Sequence, residues 1–107
     1  MKRFHIRDSG DRGWFVGNFE RSVHKTEAVE AAFQTNYKGE KSEPHYHKIA
    51  TEINLITRGT VRINGEIYTA GQGVVFAPGE VAECEYLEDT DTMVIKTPGP
   101  LNDKYIL

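Results

Sequence analysis

The sequence predicts an all-β domain of the sandwich or barrel kind. Short β-rich runs are separated by Gly, Pro and Asn turn signals every several residues. No long helical periodicity interrupts them. Asn64-Gly65 stands between two such runs, the strongest short hairpin signal, because a type I′ turn needs positive φ at both central residues.

The elements follow in order. Gly13 to Phe19 is an aromatic strand or edge segment. Ala28 to Tyr37 alternates, with Val29, Ala31, Phe33, Thr35 and Tyr37 on one face, the period of a half-buried strand. Lys38-Gly39-Glu40 breaks it. Pro44 to Lys48 is a short polar strand with two histidines, and Glu52 to Arg58 is the next, ended by Gly59. Thr60 to Ile63 and Glu66 to Thr69 flank the Asn-Gly turn. Ala70 to Gly73 turns into the short apolar strand Val74 to Ala77, which Pro78-Gly79 stops. Val81 to Leu87 alternates, placing Ala82, Cys84 and Tyr86 on one face. After the acidic turn Glu88 to Asp91, Thr92 to Thr97 is the last clear strand. Pro98-Gly99-Pro100 closes it, and Leu101 to Leu107 is expected to clamp back on the barrel. Gly71, Gly73 and Gly79 fit turns and close strand approach.

A chain of 107 residues, 38% hydrophobic and 27% charged, reads as a single folded domain over 1–107. Its net charge of −3 disfavours nucleic acid as a partner. One cysteine, Cys84, excludes an intrachain disulfide. The N-terminal stretch has no apolar core of a signal peptide, and no run nears the ~20 apolar residues of a membrane span. The expectation is a cytoplasmic protein with no membrane partner.

His45, His47 and Glu52 hold the chemistry. Side chains two apart on a strand share a face, so the histidines project together, roughly 7 Å apart by the usual rise. Lys48 to Thr51 is short enough for an antiparallel hairpin that sets Glu52 across from them. Two imidazoles and a carboxylate converging on one side can chelate a divalent cation and leave positions open. A His-x-His pair alone also occurs as solvated polar surface or as a satisfied hydrogen-bond network, and the glutamate tips the reading to metal. His5 and His24 read as surface residues. Parity brings Asn54 and Ile56 to the cavity with Glu52, and Ala82, Cys84 and Tyr86 to the opposite wall. Asn54, Cys84 and Tyr86 are the candidate substrate contacts; the competing reading makes Ile56, Cys84 and Tyr86 barrel core, an equal reading for Cys84 and the better one for Ile56. Ser9, Ser22 and Ser42 have no nucleophile context, and the glycines form no phosphate loop.

Gly39-x5-His45-x-His47-x4-Glu52-x6-Gly59 resembles the first signature motif of the cupin superfamily at every fixed position. Gly71-Gln72-Gly73-Val74-Val75-Phe76-Ala77-Pro78-Gly79 looks like the second motif. The two, with their spacer, cover about half the chain. The resemblance implies a small double-stranded β-helix, or jelly-roll, barrel. It implies metal ligands at His45, His47 and Glu52, with Fe, Mn, Ni or Zn as the divalent ion. The second motif departs from the pattern, with Ala82 where a further histidine is usual, so three ligands carry over and not four. Small single-domain cupins include isomerases, dioxygenases and sugar-modifying enzymes. The expected function is therefore metal-dependent chemistry, isomerase or dioxygenase, on a small polar metabolite such as a sugar derivative or organic acid. The competing reading is a metal-free or non-turnover small-molecule-binding module, which Ala82 favours. A regulatory domain of a larger sugar-metabolic system is a third. Exposed β edges predict a homodimer.

Overall fold

The computed structural model describes residues 1–99 and 102–107. Pro100 and Leu101, expected at the closing turn and the start of the tail, lie outside the described residues. The ten strands among the described residues are β1 (Trp14–Val16), β2 (Glu30–Asn36), β3 (His45–His47), β4 (Thr51–Arg58), β5 (Thr60–Ile63), β6 (Glu66–Thr69), β7 (Gly73–Phe76), β8 (Cys84–Tyr86), β9 (Thr90–Thr97) and β10 (Lys104–Ile106). A 3-10 turn, Ile6–Asp8, precedes them. Among the described residues no helix is long and apolar enough to cross a membrane.

The strands form three antiparallel sheets, ordered β1-β2-β9-β4-β7, β6-β5-β8 and β10-β3. The β5–β6 hairpin turns on Asn64 and Gly65 at φ 49° and 85°, as the Asn-Gly signal requires. Gly73 packs so near β4 that a Cβ there would sit 2.6 Å from the Asn54 carbonyl oxygen. Ile56, Val61, Ile63, Phe76 and Ala82 make the core, with Tyr68, Val74, Cys84 and Tyr86 packed against it. Ile56 and Val61 are each 1% exposed, a burial that stabilises by about 1.5–3 kcal/mol per side chain. Along β4 the inward face therefore changes from Glu52 and Asn54, which line a cavity, to Ile56 in the core.

Two sequence expectations are corrected. β3 and β4 do not form a hairpin. β3 pairs with β10, Lys104 opposite His47 and Ile106 opposite His45, whereas β4 pairs with β7 and β9. The C-terminal tail takes the ladder position that a hairpin would have used, and stacking of Tyr46 on Tyr105 at 5.5 Å secures it. The 48–50 connection is instead a corner between sheets, held by Asp103. The second correction concerns β2. Its inward face is Glu30, Ala32, Gln34 and Asn36, not the set containing Ala31 and Phe33. The inside of this sheet is in part a polar cavity, so apolar alternation marks the outer face there.

Candidate metal centre

His45 and His47 occupy the two ends of β3, and Glu52 lies near the start of β4. The corner between them closes because the Asp103 carboxylate accepts from three successive backbone N–H groups. Its oxygens lie 3.1 Å from Lys48 N, 3.1 Å from Ile49 N and 2.9 Å from Ala50 N. This folds Glu52 back toward the histidines, and one ligand atom from each of the three residues falls within 4.8 Å of the others. His47 is 6% exposed.

Both imidazoles are oriented by their far nitrogens. His47 Nδ1 donates to the Asp103 carbonyl at 2.8 Å, and His45 Nδ1 donates to the Glu43 carbonyl at 3.0 Å. A carbonyl only accepts, so Nδ1 bears the hydrogen in each ring and Nε2 is the nitrogen left for the cavity. His47 Nε2 stands 3.0 Å from Glu52 Oε2. Two ligands at right angles, each about 2.1 Å from a metal, are about 3.0 Å apart, so the donor pair fits a divalent cation. Metal-free, the same contact requires a proton on Nε2. The hydrogen bond to Glu52 accordingly raises the His47 pKa against the opposing effect of burial. Burial pushes Glu52 up, but the His47 hydrogen bond and charge outweigh it and hold the carboxyl below its ordinary value.

Ala82 lies beside this set. It exchanges backbone hydrogen bonds with His45, 3.1 Å from His45 N to Ala82 O and 2.8 Å in return, so their side chains share a face. A methyl group thus stands where a fourth ligand would project. Cys84 does not join the three-residue cluster. Burial raises its thiol, and its N–H donates to Ser42 Oγ at 2.9 Å. Asn54, Cys84 and Tyr86 all line the cavity of about 610 Å³ that opens on the centre. Burial also drives the Tyr86 phenol well above its ordinary value, so both groups are neutral at pH 7. His5 and His24 are exposed and lie outside the site, as expected.

Sequence reasoning missed Asp103, Glu30, Lys96 and Trp14. Glu30, Lys96 and Trp14 line the same cavity. Strand parity, had Ala32 rather than Ala31 been turned inward, would have placed Glu30 there. No local signal marked Asp103, whose partners are more than fifty residues away in sequence.

No family model and no curated protein matches the chain. Solved structures do. An uncharacterized conserved protein with a double-stranded beta-helix domain from Klebsiella pneumoniae superposes with a TM-score of 0.72 at 16% identity, covering 98% of this chain and 90% of that one. A cupin-2 domain containing protein from Shewanella frigidimarina gives 0.59 at 16% identity over 70% of this chain and 76% of that one. Oxalate decarboxylase from Bacillus subtilis gives 0.74 at 19% identity over 97% of this chain; the chain spans 31% of that enzyme's length. At these identities the likeness is one of fold. It agrees with the strand order and with the two motifs, and the chain is a cupin-fold protein, a double-stranded β-helix.

Proposed function

We propose that this protein holds one divalent metal ion at His45, His47 and Glu52 and uses it on a small polar metabolite, a sugar derivative or an organic acid. The observation that supports this most is the pair of Nδ1–H···O=C bonds that leave both Nε2 atoms free to act as ligands, with His47 Nε2 3.0 Å from the Glu52 carboxylate. A solvated histidine pair needs no such fastening. A divalent ion bound there would supply Lewis acidity toward a coordinated substrate oxygen, as isomerase chemistry uses, or, if redox-active, open positions for substrate and dioxygen, as dioxygenase chemistry needs. The protein's own groups then have separable tasks. Two neutral imidazoles and one carboxylate bind the ion and leave it net positive. Asp103 sets the corner that brings Glu52 to the histidines. Asn54 offers a donor and an acceptor to substrate, while Tyr86 and Cys84 present neutral polar groups on the opposite wall. The similarity to an oxalate decarboxylase, whose name denotes a small organic acid, favours such a substrate.

Elemental analysis of purified protein beside a His47→Ala variant tests the reading. One equivalent of metal per chain in the first and none in the second is expected. A wild-type chain that takes up none of Fe, Mn, Ni and Zn overturns it, and the second reading, a metal-free binding module favoured by Ala82, then stands. We assign the protein to the reducing cytoplasm, in keeping with its single thiol. We also assign it a homodimeric state, supported by the outer face of the five-stranded sheet, where Ile53, Leu55 and Val75 are 37%, 43% and 63% exposed.

A further inference from the structure

Three ionisable side chains form a row across the cavity wall. In the ladder of β2, β9 and β4, Glu30 pairs with Lys96 and Lys96 pairs with Glu52, so all three project from one face. The third is the carboxylate of the candidate metal centre; the other two have no part in it. Lys96 Nζ is 3.0 Å from Glu30 Oε1, and the two side chains are only 13% and 9% exposed. The face of Trp14 covers the ammonium at 4.9 Å. Although close, the ammonium is not aligned for a hydrogen bond to Oε1, and that oxygen is buried without a donor among the described residues.

A charged pair this deep is costly to desolvate, and an acceptor left without a donor adds to the cost. Well-packed apolar residues would serve the sheet better. The pair instead lines the cavity that opens on His45, His47 and Glu52. With a divalent ion in place, the ion and the row together have one net positive charge. The other charged lining residues, Asp11, Arg12, Glu40, Lys41 and Lys104, are exposed at the rim. The interior therefore matches a monoanion that also brings a hydrogen-bond donor to Glu30. Glu30 and Glu52 are two strand spacings apart, roughly 10 Å at Cα, which a chain of about six carbons bridges.

We propose that the Glu30–Lys96 pair is the second anchor of the substrate site and selects a small hydroxycarboxylic acid. Its carboxylate lies between the metal centre and Lys96, and a distal hydroxyl donates to the Glu30 carboxylate. This deepens the metal reading and rests on it.

Trp14 is the only tryptophan, so its emission reports on Lys96 directly. Metal-loaded protein is titrated with D-gluconate, with sorbitol (hydroxyls, no carboxylate) and with hexanoate (carboxylate, no hydroxyls). Gluconate is expected to shift Trp14 emission saturably and to bind at least tenfold more tightly than either control. The paired variant Lys96→Met/Glu30→Gln, which leaves no lone charge behind, is expected to lose at least tenfold in gluconate affinity while keeping one metal per chain. Lys96→Arg should recover most of it. A control ligand that binds as tightly as gluconate overturns the proposal without recourse to any variant. So does a paired variant with undiminished affinity. Metal measured on the same samples separates the two readings. One metal per chain with no gluconate binding sinks this proposal and leaves the metal centre standing. No metal uptake sinks the metal reading; the titration on the metal-free chain then decides the row, absent or variant-insensitive binding overturning it.

Discussion

Removing the Asp103 carboxylate should loosen the corner and the metal centre together. Three N–H groups converge on it, but they are not equivalent. Ala50 is 1% exposed, so its N–H has no recourse to water; Lys48 and Ile49 are exposed residues whose N–H groups can rehydrate. A buried donor left unpaired costs about 1–3 kcal/mol, and each rehydrated bond forfeits about 0.5 kcal/mol. Asp103→Ala should therefore cost about 3 kcal/mol. Asp103→Asn, which keeps one acceptor for Ala50, should cost about half that. For a domain of this size 1 kcal/mol corresponds to about 4 °C, so Tm should fall by about 12 °C and about 6 °C. Thermal unfolding followed by circular dichroism in chelator reads this without interference from metal. Asp103→Ala keeps the main-chain carbonyl that accepts from His47 Nδ1 but frees the corner that positions it, so metal affinity should fall about tenfold. The acid limb gives an independent check. Burial pushes the Asp103 carboxyl up, but its bonds from Ala50, Ile49 and Lys48 outweigh that and depress it. A depressed carboxylate contributes stability above its unfolded value, near pH 4, and loses it as pH falls through the folded value. Wild type should lose stability on acidification there more steeply than Asp103→Asn. A Tm for Asp103→Ala within about 2 °C of wild type would refute the energetic argument. A lower Tm with unchanged metal affinity would refute the link to His47.

Three further outcomes are expected. Because the metal displaces the proton between His47 Nε2 and Glu52, binding should release a proton. The raised His47 contributes stability to the metal-free chain below its unfolded value, near pH 6.5, and loses it as pH rises through the folded value. Calorimetric binding enthalpies at pH 6.5 should therefore depend on the buffer's ionisation enthalpy, and buffer-independent values would contradict the protonated pair. Ala82→His, projecting beside His45, should supply a fourth ligand and slow metal loss to a chelator at least tenfold; an unchanged rate would show that the site cannot use it. Leu55→Glu on the exposed outer face should halve the mass seen by light scattering, and a dimer that persists would place the contact elsewhere.

What the sequence disclosed and what it hid follow from one physical difference. Local constraints are written locally. Asn64-Gly65 fixes its turn by positive φ, and His45, His47 and Glu52 lie close enough in the chain for spacing to imply proximity. Yet spacing implied the wrong ladder. Eight residues suffice to bring His45 near Glu52 by a hairpin or by a corner, and only Asp103, far along the chain, decides for the corner by accepting the N–H groups of residues 48–50. The β2 face went astray for a related reason. Alternation tells which residues share a side, and the assumption that apolar ones turn inward holds where the inside is a packed core. At Ile56 and Val61 it is, and the assumption works. At Glu30 and Lys96 the inside is a cavity, and the charged residues are the ones that belong there. A polar residue on the inward parity of a barrel strand is therefore informative once any other residue has located the cavity. Glu52 and Asn54 locate it here, and the β2-β9-β4 register carries that location two strands over to Glu30, a step that needs the pairing and not the sequence alone.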